Sequence, residues 1–242
     1  MANDDGAAAS TKSGHISRLI LRVTEVDRAA AFFGGLFSWQ LEEAELSAHL
    51  GKKARALCVP TPSCMGAVFV ADPHAPSVRV EFGVTDSARA MAHVLQLGGS
   101  GTAAEAADSQ GVPLAFVEAG KSALPRRPHS GDIGVLIFDV PDTALARAFH
   151  SGLFGRSYHR IGTADRWWMN DLTVGVFRAP ASGVRFWHVV PELEPVITKV
   201  LALGGTIVER GAMGPYQVCA CRDDQGTAFR LWYDANLQFE SE

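Results

Sequence analysis

Two arginine–tryptophan pairs stand two residues apart, Arg185 with Trp187 and Arg230 with Trp232, each inside a strand-like run. Alternation along a β-strand puts both members of such a pair on one face. A guanidinium is a permanent cation with a planar fork of donors that fits a carboxylate, a phosphate or a polarised carbonyl oxygen. An indole is a flat apolar wall with one N–H to satisfy. Together they suit a flat, conjugated or aromatic ligand bearing an acidic or carbonyl group, and Trp168 and Tyr216 add further aromatic surface. Of the adjacent Trp167 and Trp168, one must face away from the other's side. The tryptophans could instead fill a core or a contact between the two halves of the chain. Arg79 and Glu81 share a face in the same way, as an acid/base pair or an internal salt bridge. Acidic neighbours such as Glu81, Asp132 or Asp171 could likewise neutralise the arginines.

The elements that must position these side chains come from a repeat. Gly14–Phe37 aligned without gaps on Gly131–Phe154 gives 11 identities in 24 positions, including Gly35-Leu36-Phe37 with Gly152-Leu153-Phe154. "VRVEFGVTDSARAMAHVLQLGG" (78–99) matches "VRFWHVVPELEPVITKVLALGG" (184–205) in the same way, so the order is A-B-A′-B′. Each unit opens on a strand-like run and then a helical segment. In "DRAAAFFGGLF" and "TALARAFHSGLF" the apolar residues recur at three- and four-residue spacing, which predicts helices packed on a sheet. "LGG" ends the other two helices, where glycine supplies a left-handed stop. Short strands such as "GAVFVAD", "TVGVFRA" and "TAFRLWYD" follow, giving β-α-β-β-β per unit. One helix cannot cover both faces of a small sheet, so units must combine in pairs. The "GLF" segments are expected to pack on the sheet and to carry no chemistry.

Bulk properties bound the remaining classes. The chain has 242 residues, a net charge of −4 and a pI near 6.1. There is no basic field of a nucleic-acid binder, and no apolar run long enough for a membrane span. Residues 1–13 read as a disordered leader without a secretory signal, 14–120 and 131–236 as two domains, and the Pro-rich stretch 121–130 as the linker. Cys58, Cys64, Cys219 and Cys221 are too few for a disulfide scaffold and read as free thiols of a cytoplasmic protein. Among the histidines, His150 and His188 read as structural and His74 lies in a loop. Spacing alone supports no Ser-His-Asp or Cys-His arrangement.

The repeat resembles the vicinal oxygen chelate superfamily, which includes glyoxalase I, bleomycin-resistance proteins, fosfomycin-resistance enzymes and extradiol dioxygenases. "VTEVDRAAAFFGGLFSW", the "V-x-D…LGG" of the second unit and "DDQGTAFRLW" (223–232) carry the resemblance over Gly14–Tyr233. It implies an α+β fold of two tandem glyoxalase-like domains, each a pair of βαβββ modules forming a curved sheet cup. In the metal-dependent members it implies ligands at three cup positions. Here those positions hold Arg18 and Arg79 in the first half, and Val135, Arg185 and Arg230 in the second. His15 falls three residues ahead of the first of them. None of the residues at those positions offers a lone pair, so no metal and no other cofactor is expected.

The function expected is that of a metal-independent enzyme on a small oxygenated, conjugated or aromatic metabolite, by isomerisation, cyclisation or lyase-type rearrangement. Arg185, Arg230, Arg18, Arg79 and Glu81 would be catalytic, and Trp187, Trp232, Trp168 and Tyr216 would bind substrate. An Ala-, Gly- and Arg-rich composition suggests a GC-rich bacterial genome, where secondary metabolism is a natural setting. The alternative is a non-catalytic small-molecule or antibiotic-binding protein, and a third possibility is a metal-dependent dioxygenase or lyase. The expected partner is a small molecule, with neither nucleic acid nor membrane, and the chain is expected to be a monomer or homodimer.

Overall fold

A computed structural model describes residues 14–45, 53–57, 65–118, 129–170, 174–237 and 239. The leader, most of the linker, Asp171, Cys58 and Cys64 lie outside the described residues. Unit one runs β1 (His15–Val23), α1 (Val26–Phe37), β2 (Leu41–Glu45), β3 (Lys53–Leu57) and β4 (Gly66–Ala71). Unit two runs β5 (Ser77–Val84), α2 (Ser87–Gln96), β6 (Ser100–Gly101), β7 (Ala106–Ala107) and β8 (Pro113–Glu118). Unit three runs β9 (Ile133–Val140), α3 (Thr143–Phe154), β10 (Tyr158–Arg160), β11 (Arg166–Met169) and β12 (Val174–Arg178). Unit four runs β13 (Gly183–Val189), α4 (Leu193–Ala202), β14 (Thr206–Met213), β15 (Tyr216–Arg222) and β16 (Ala228–Tyr233). Every unit is therefore β-α-β-β-β, as the repeat predicts.

Units join in pairs through their opening strands. The first sheet has the order β2-β3-β4-β1-β5-β8-β7-β6 and the second β10-β11-β12-β9-β13-β16-β15-β14. The central pairs β1–β5 and β9–β13 are antiparallel, and each is flanked by parallel partners. Alternation then sorts the side chains. Leu19, Leu21 and Val23 of β1 enter the main core, whereas Ile20 belongs to a separate cluster on the opposite face. Local chemistry sets the helix ends: Asp86 accepts from the Arg89 N–H, and Asp142 accepts from the Ala144 and Leu145 N–H groups.

The two halves share one core along their helix-bearing faces. Phe33 of α1 lies 5.3 Å from Phe69 and 5.8 Å from Trp39 in its own half. It lies 5.4 Å from Phe229 and 5.9 Å from His188 in the other. The "GLF" corners do more than pack on their own sheet: Phe154 stands 4.6 Å from Phe82, and Phe37 stands 4.3 Å from His188. Each ring also covers the opening glycine of the opposite half. A Cβ on Gly14 would meet Phe154 at 2.2 Å, and one on Gly131 would meet Phe37 at 2.5 Å. The repeated segments thus make reciprocal contacts between halves. A second link joins His150 of α3 to Asp108 of the first half at 3.7 Å, both fully buried.

His188 is a core residue, as its position in the repeat implies. Nδ1 lies 2.8 Å from the Gly131 carbonyl and so donates to it, while aromatic rings surround the imidazole. Complete burial pushes its pKa down to about 3, against the weaker opposite pull of the Gly131 hydrogen bond. The folded state keeps this ring neutral while an unfolded chain protonates it near pH 6.5. Stability is therefore full above that value and is lost as pH falls toward 3, by at most about 1.4 kcal/mol per pH unit. Urea titrations between pH 7 and 4 should show a shallower acid-side loss for His188→Phe than for the native chain. Equal slopes would contradict this role.

Candidate functional site

The face of each sheet opposite the shared core is a cup, and the two cups differ in charge balance. In the first, Ile20, Val68, Val70 and Ala115 form a buried apolar floor. Arg18 pairs with Glu81 at 2.8 Å, and Arg22 with Asp72 at 2.6 Å and also with Glu105. Arg79 donates to the Ala104 carbonyl at 2.6 Å and lies 3.3 Å from Glu105. The Arg22 hydrogen bond holds the Glu105 carboxyl below its usual range. The expected Arg79–Glu81 pair does not form. In register Arg18 stands abreast of Glu81, so the carboxylate turns across to the neighbouring strand rather than along its own. Arg18, Arg79 and Glu81 are thus internally compensated.

Removing one member of that network should be felt as lost stability. Glu81→Ala leaves the Arg18 guanidinium unpaired and is expected to cost about 1–3 kcal/mol. Arg18→Met combined with Glu81→Met should recover most of that loss in denaturant titration.

The second cup is built from residues of β9, β11, β12, β13, β14, β15 and β16. Val135, Ile137, Phe177, Trp187 and Val218 form its buried floor, and Trp168, Trp232 and Met213 pack against them. Trp167 turns to the main core, with the Arg147 guanidinium 3.6 Å over its ring, as alternation with Trp168 requires. Tyr216 meets Trp232 edge-on at 5.3 Å. A pocket of about 300 Å³ opens over this floor, with Arg166, Arg178, Arg185, Arg230 and Glu209 on its walls.

The four arginines are not equivalent. Arg185 makes a two-pronged pair with Asp139, both contacts at 2.5 Å, and Arg178 pairs with Asp165 at 3.0 Å. Arg230 has no carboxylate or hydrogen-bond partner among the described residues and stands 5.8 Å over the Trp187 ring. Burial, and then repulsion by Arg185, push its pKa down. Arg166 likewise has no ion pair there and stands 5.3 Å over Phe177. The indole nitrogens of Trp187 and Trp232 are buried donors without an acceptor. An unmet buried donor costs about 1–3 kcal/mol. Trp187 thus lines the pocket with Arg185 and Arg230, whereas Trp168 and Trp232 support its floor and Tyr216 supports Trp232.

Register also refines the three cup positions. Trp187 is abreast of both Val135 and Arg230, with Arg185 opposite Ile137 one cup-facing step along. In the first half the set abreast is Arg18, Glu81 and Ala115, which corrects the expectation of Arg79 at the second position and of no carboxylate at any of them. Valine, tryptophan and arginine carry no lone pair free for a cation, and the one carboxylate among the six is taken by Arg18. No group of three His, Cys, Asp or Glu among the described residues could hold a metal ion. These residues do not fit the divalent cation of the metal-dependent relatives.

Reading missed Arg166, Phe177, Arg178, Glu209 and Asp139. One signal was available. Arg-x-Trp occurs at 166–168, 185–187 and 230–232, and all three copies face the second cup.

No family model matches the chain, and no curated protein matches it in sequence. Solved structures do match in fold. The 2,3-dioxygenase LapB from Pseudomonas sp. KL28 aligns with a TM-score of 0.65 at 10% identity, over 96% of each chain. The Mn(II)-bound glyoxalase from Novosphingobium aromaticivorans aligns at 0.65 and 9% identity, over 94% of this chain and 84% of its own. Homoprotocatechuate 2,3-dioxygenase from Brevibacterium fuscum, solved with 3,4-dihydroxyphenylacetate, aligns at 0.62 and 14% identity, over 95% and 84%. The fold is that of these glyoxalase and extradiol dioxygenase structures. No described helix is long and apolar enough to cross a membrane.

Proposed function

We propose that this chain, which has the vicinal oxygen chelate fold, is a metal-independent enzyme acting in its second cup on a small oxygenated, conjugated organic acid. One observation carries this: the Arg230 guanidinium, part-buried in a pocket, has no carboxylate partner among the described residues while its neighbours Arg178 and Arg185 do. A cation held this way is a standing site for an anion. The aromatic floor suits a planar partner, and the relative solved with 3,4-dihydroxyphenylacetate takes an acid of that shape.

Arg230 binds the acidic group or steadies an oxyanion as it develops, with Arg185 kept in place by Asp139. Trp187 holds the conjugated plane against the cup wall and limits its rotation. The Glu209 carboxylate lines the same pocket and can take a proton from a substrate hydroxyl or an adjacent carbon. The reaction class this permits is isomerisation, cyclisation or elimination, in which protons move and no external oxidant is consumed. A cytoplasmic setting in bacterial secondary metabolism is part of the same proposal.

A second reading is supported by the nucleophile inventory. Cys219 and Cys221 face the main core, and burial pushes both thiols up, so neither serves the cup. A protein that sequesters its ligand needs no nucleophile. Incubation with a panel of conjugated hydroxy acids, followed by mass spectrometry, separates the two. A product of new mass, or an isomer resolved by chromatography, supports the enzyme. Saturable binding with every ligand recovered unchanged would leave the binding protein.

A further inference from the structure

Among the described residues, cup two holds two guanidiniums without an ion pair, the exposed Arg166 and the part-buried Arg230, and they stand apart. Arg166 lies over Phe177 of β12, and Arg230 lies over Trp187 of β13. β9 runs between those two strands, with Phe177 abreast of its Asp139 and Trp187 abreast of its Val135, so the two ring-bearing positions are two strand spacings (about 10 Å) apart across the sheet and four residues (about 13 Å) apart along it. A single carboxylate is too small to engage cations so placed. The fork between them is already spoken for, because Arg185 is clasped by Asp139. The floor between the two cations is apolar, formed by Ile137, Val135 and the aromatic rings. Anionic ends with an apolar, flat middle is the complementary shape.

Resting on the second cup being the ligand site, we propose that its ligand carries two anionic groups at opposite ends of a planar core, with Arg166 binding one and Arg230 the other. Arg166 then selects dianions over monoanions, and Arg230 is needed for either. Each charge-assisted fork made in the cup adds affinity beyond the stacking that any planar acid obtains. Arg178 sits beside the Arg166 end but remains committed to Asp165, which also accepts from Thr143 and from the Trp167 indole.

Calorimetric titration of the full chain with benzoate and with terephthalate (benzene-1,4-dicarboxylate), at one ionic strength, tests this. Terephthalate is expected to bind at least about tenfold more tightly. Arg166→Gln should bring that ratio close to unity, and Arg230→Gln should weaken both ligands, with melting curves confirming that each variant folds. Equal affinity for the two acids, or an undiminished ratio in Arg166→Gln, would overturn the two-anion assignment while leaving the second cup as an aromatic-acid site. Binding of neither acid by the native chain would overturn both.

Discussion

Replacing Arg230 by methionine is expected to weaken binding of an anionic ligand by about tenfold to a hundredfold while leaving the fold as stable as before or more so. Both halves of that expectation follow from one geometry. A charge-assisted hydrogen bond contributes about 1.5–3 kcal/mol, which the variant forfeits once a ligand is present. Without ligand, the guanidinium is part-buried, repelled by Arg185 and unpaired among the described residues, so its removal relieves a cost. A gain of about 1 kcal/mol is expected from filling the same volume with an apolar chain over Trp187. Arg185→Ala should behave in the opposite way, because it strands the Asp139 carboxylate and lowers stability. Thermal melts beside ligand titrations separate the two variants. A structural role for Arg230 would show as a lower melting temperature in Arg230→Met.

Phe33→Ala is expected to produce the largest loss of stability, about 3–5 kcal/mol. Its ring is fully buried and touches aromatic rings of both halves, namely Phe69 and Trp39 on one side and Phe229 and His188 on the other. The native chain should unfold in one transition, since neither half can keep this core dry alone. Trp39 reports on the first half, and Trp187 and Trp232 report on the second. Urea titration followed by fluorescence should therefore show one midpoint, moved to lower denaturant in Phe33→Ala. Two separated native-state transitions, or a loss below about 1 kcal/mol, would contradict a shared core.

The repeat made the units and their order legible, because strand and helix periods recur at matched positions such as Val23 with Val140 and Phe32 with Phe149. Alternation likewise placed Arg185 with Trp187 and Trp168 opposite Trp167. What lay beyond the sequence was register and the facing of the halves. Glu81 sits two residues from Arg79 and so shares its face, yet the partner it meets, Arg18, comes from β1, 63 residues away. A bulge between Ile16 and Arg18 in the β1–β5 pairing helps to set that alignment. The same limit hid Asp139 as the partner of Arg185, since neither spacing nor composition connects them. Phe37 and Phe154 look alike in the repeat, but only the packed halves show each covering the other's opening glycine.

Titration of terephthalate into chelator-treated protein, followed by tryptophan fluorescence and repeated after addition of Mn(II), Fe(II) or Zn(II), tests the central claim most directly. The account predicts one saturable site per chain, with the same affinity in the presence and absence of each metal, and an affinity about tenfold to a hundredfold lower in Arg230→Met. Binding that appears only after a divalent metal is restored would contradict it.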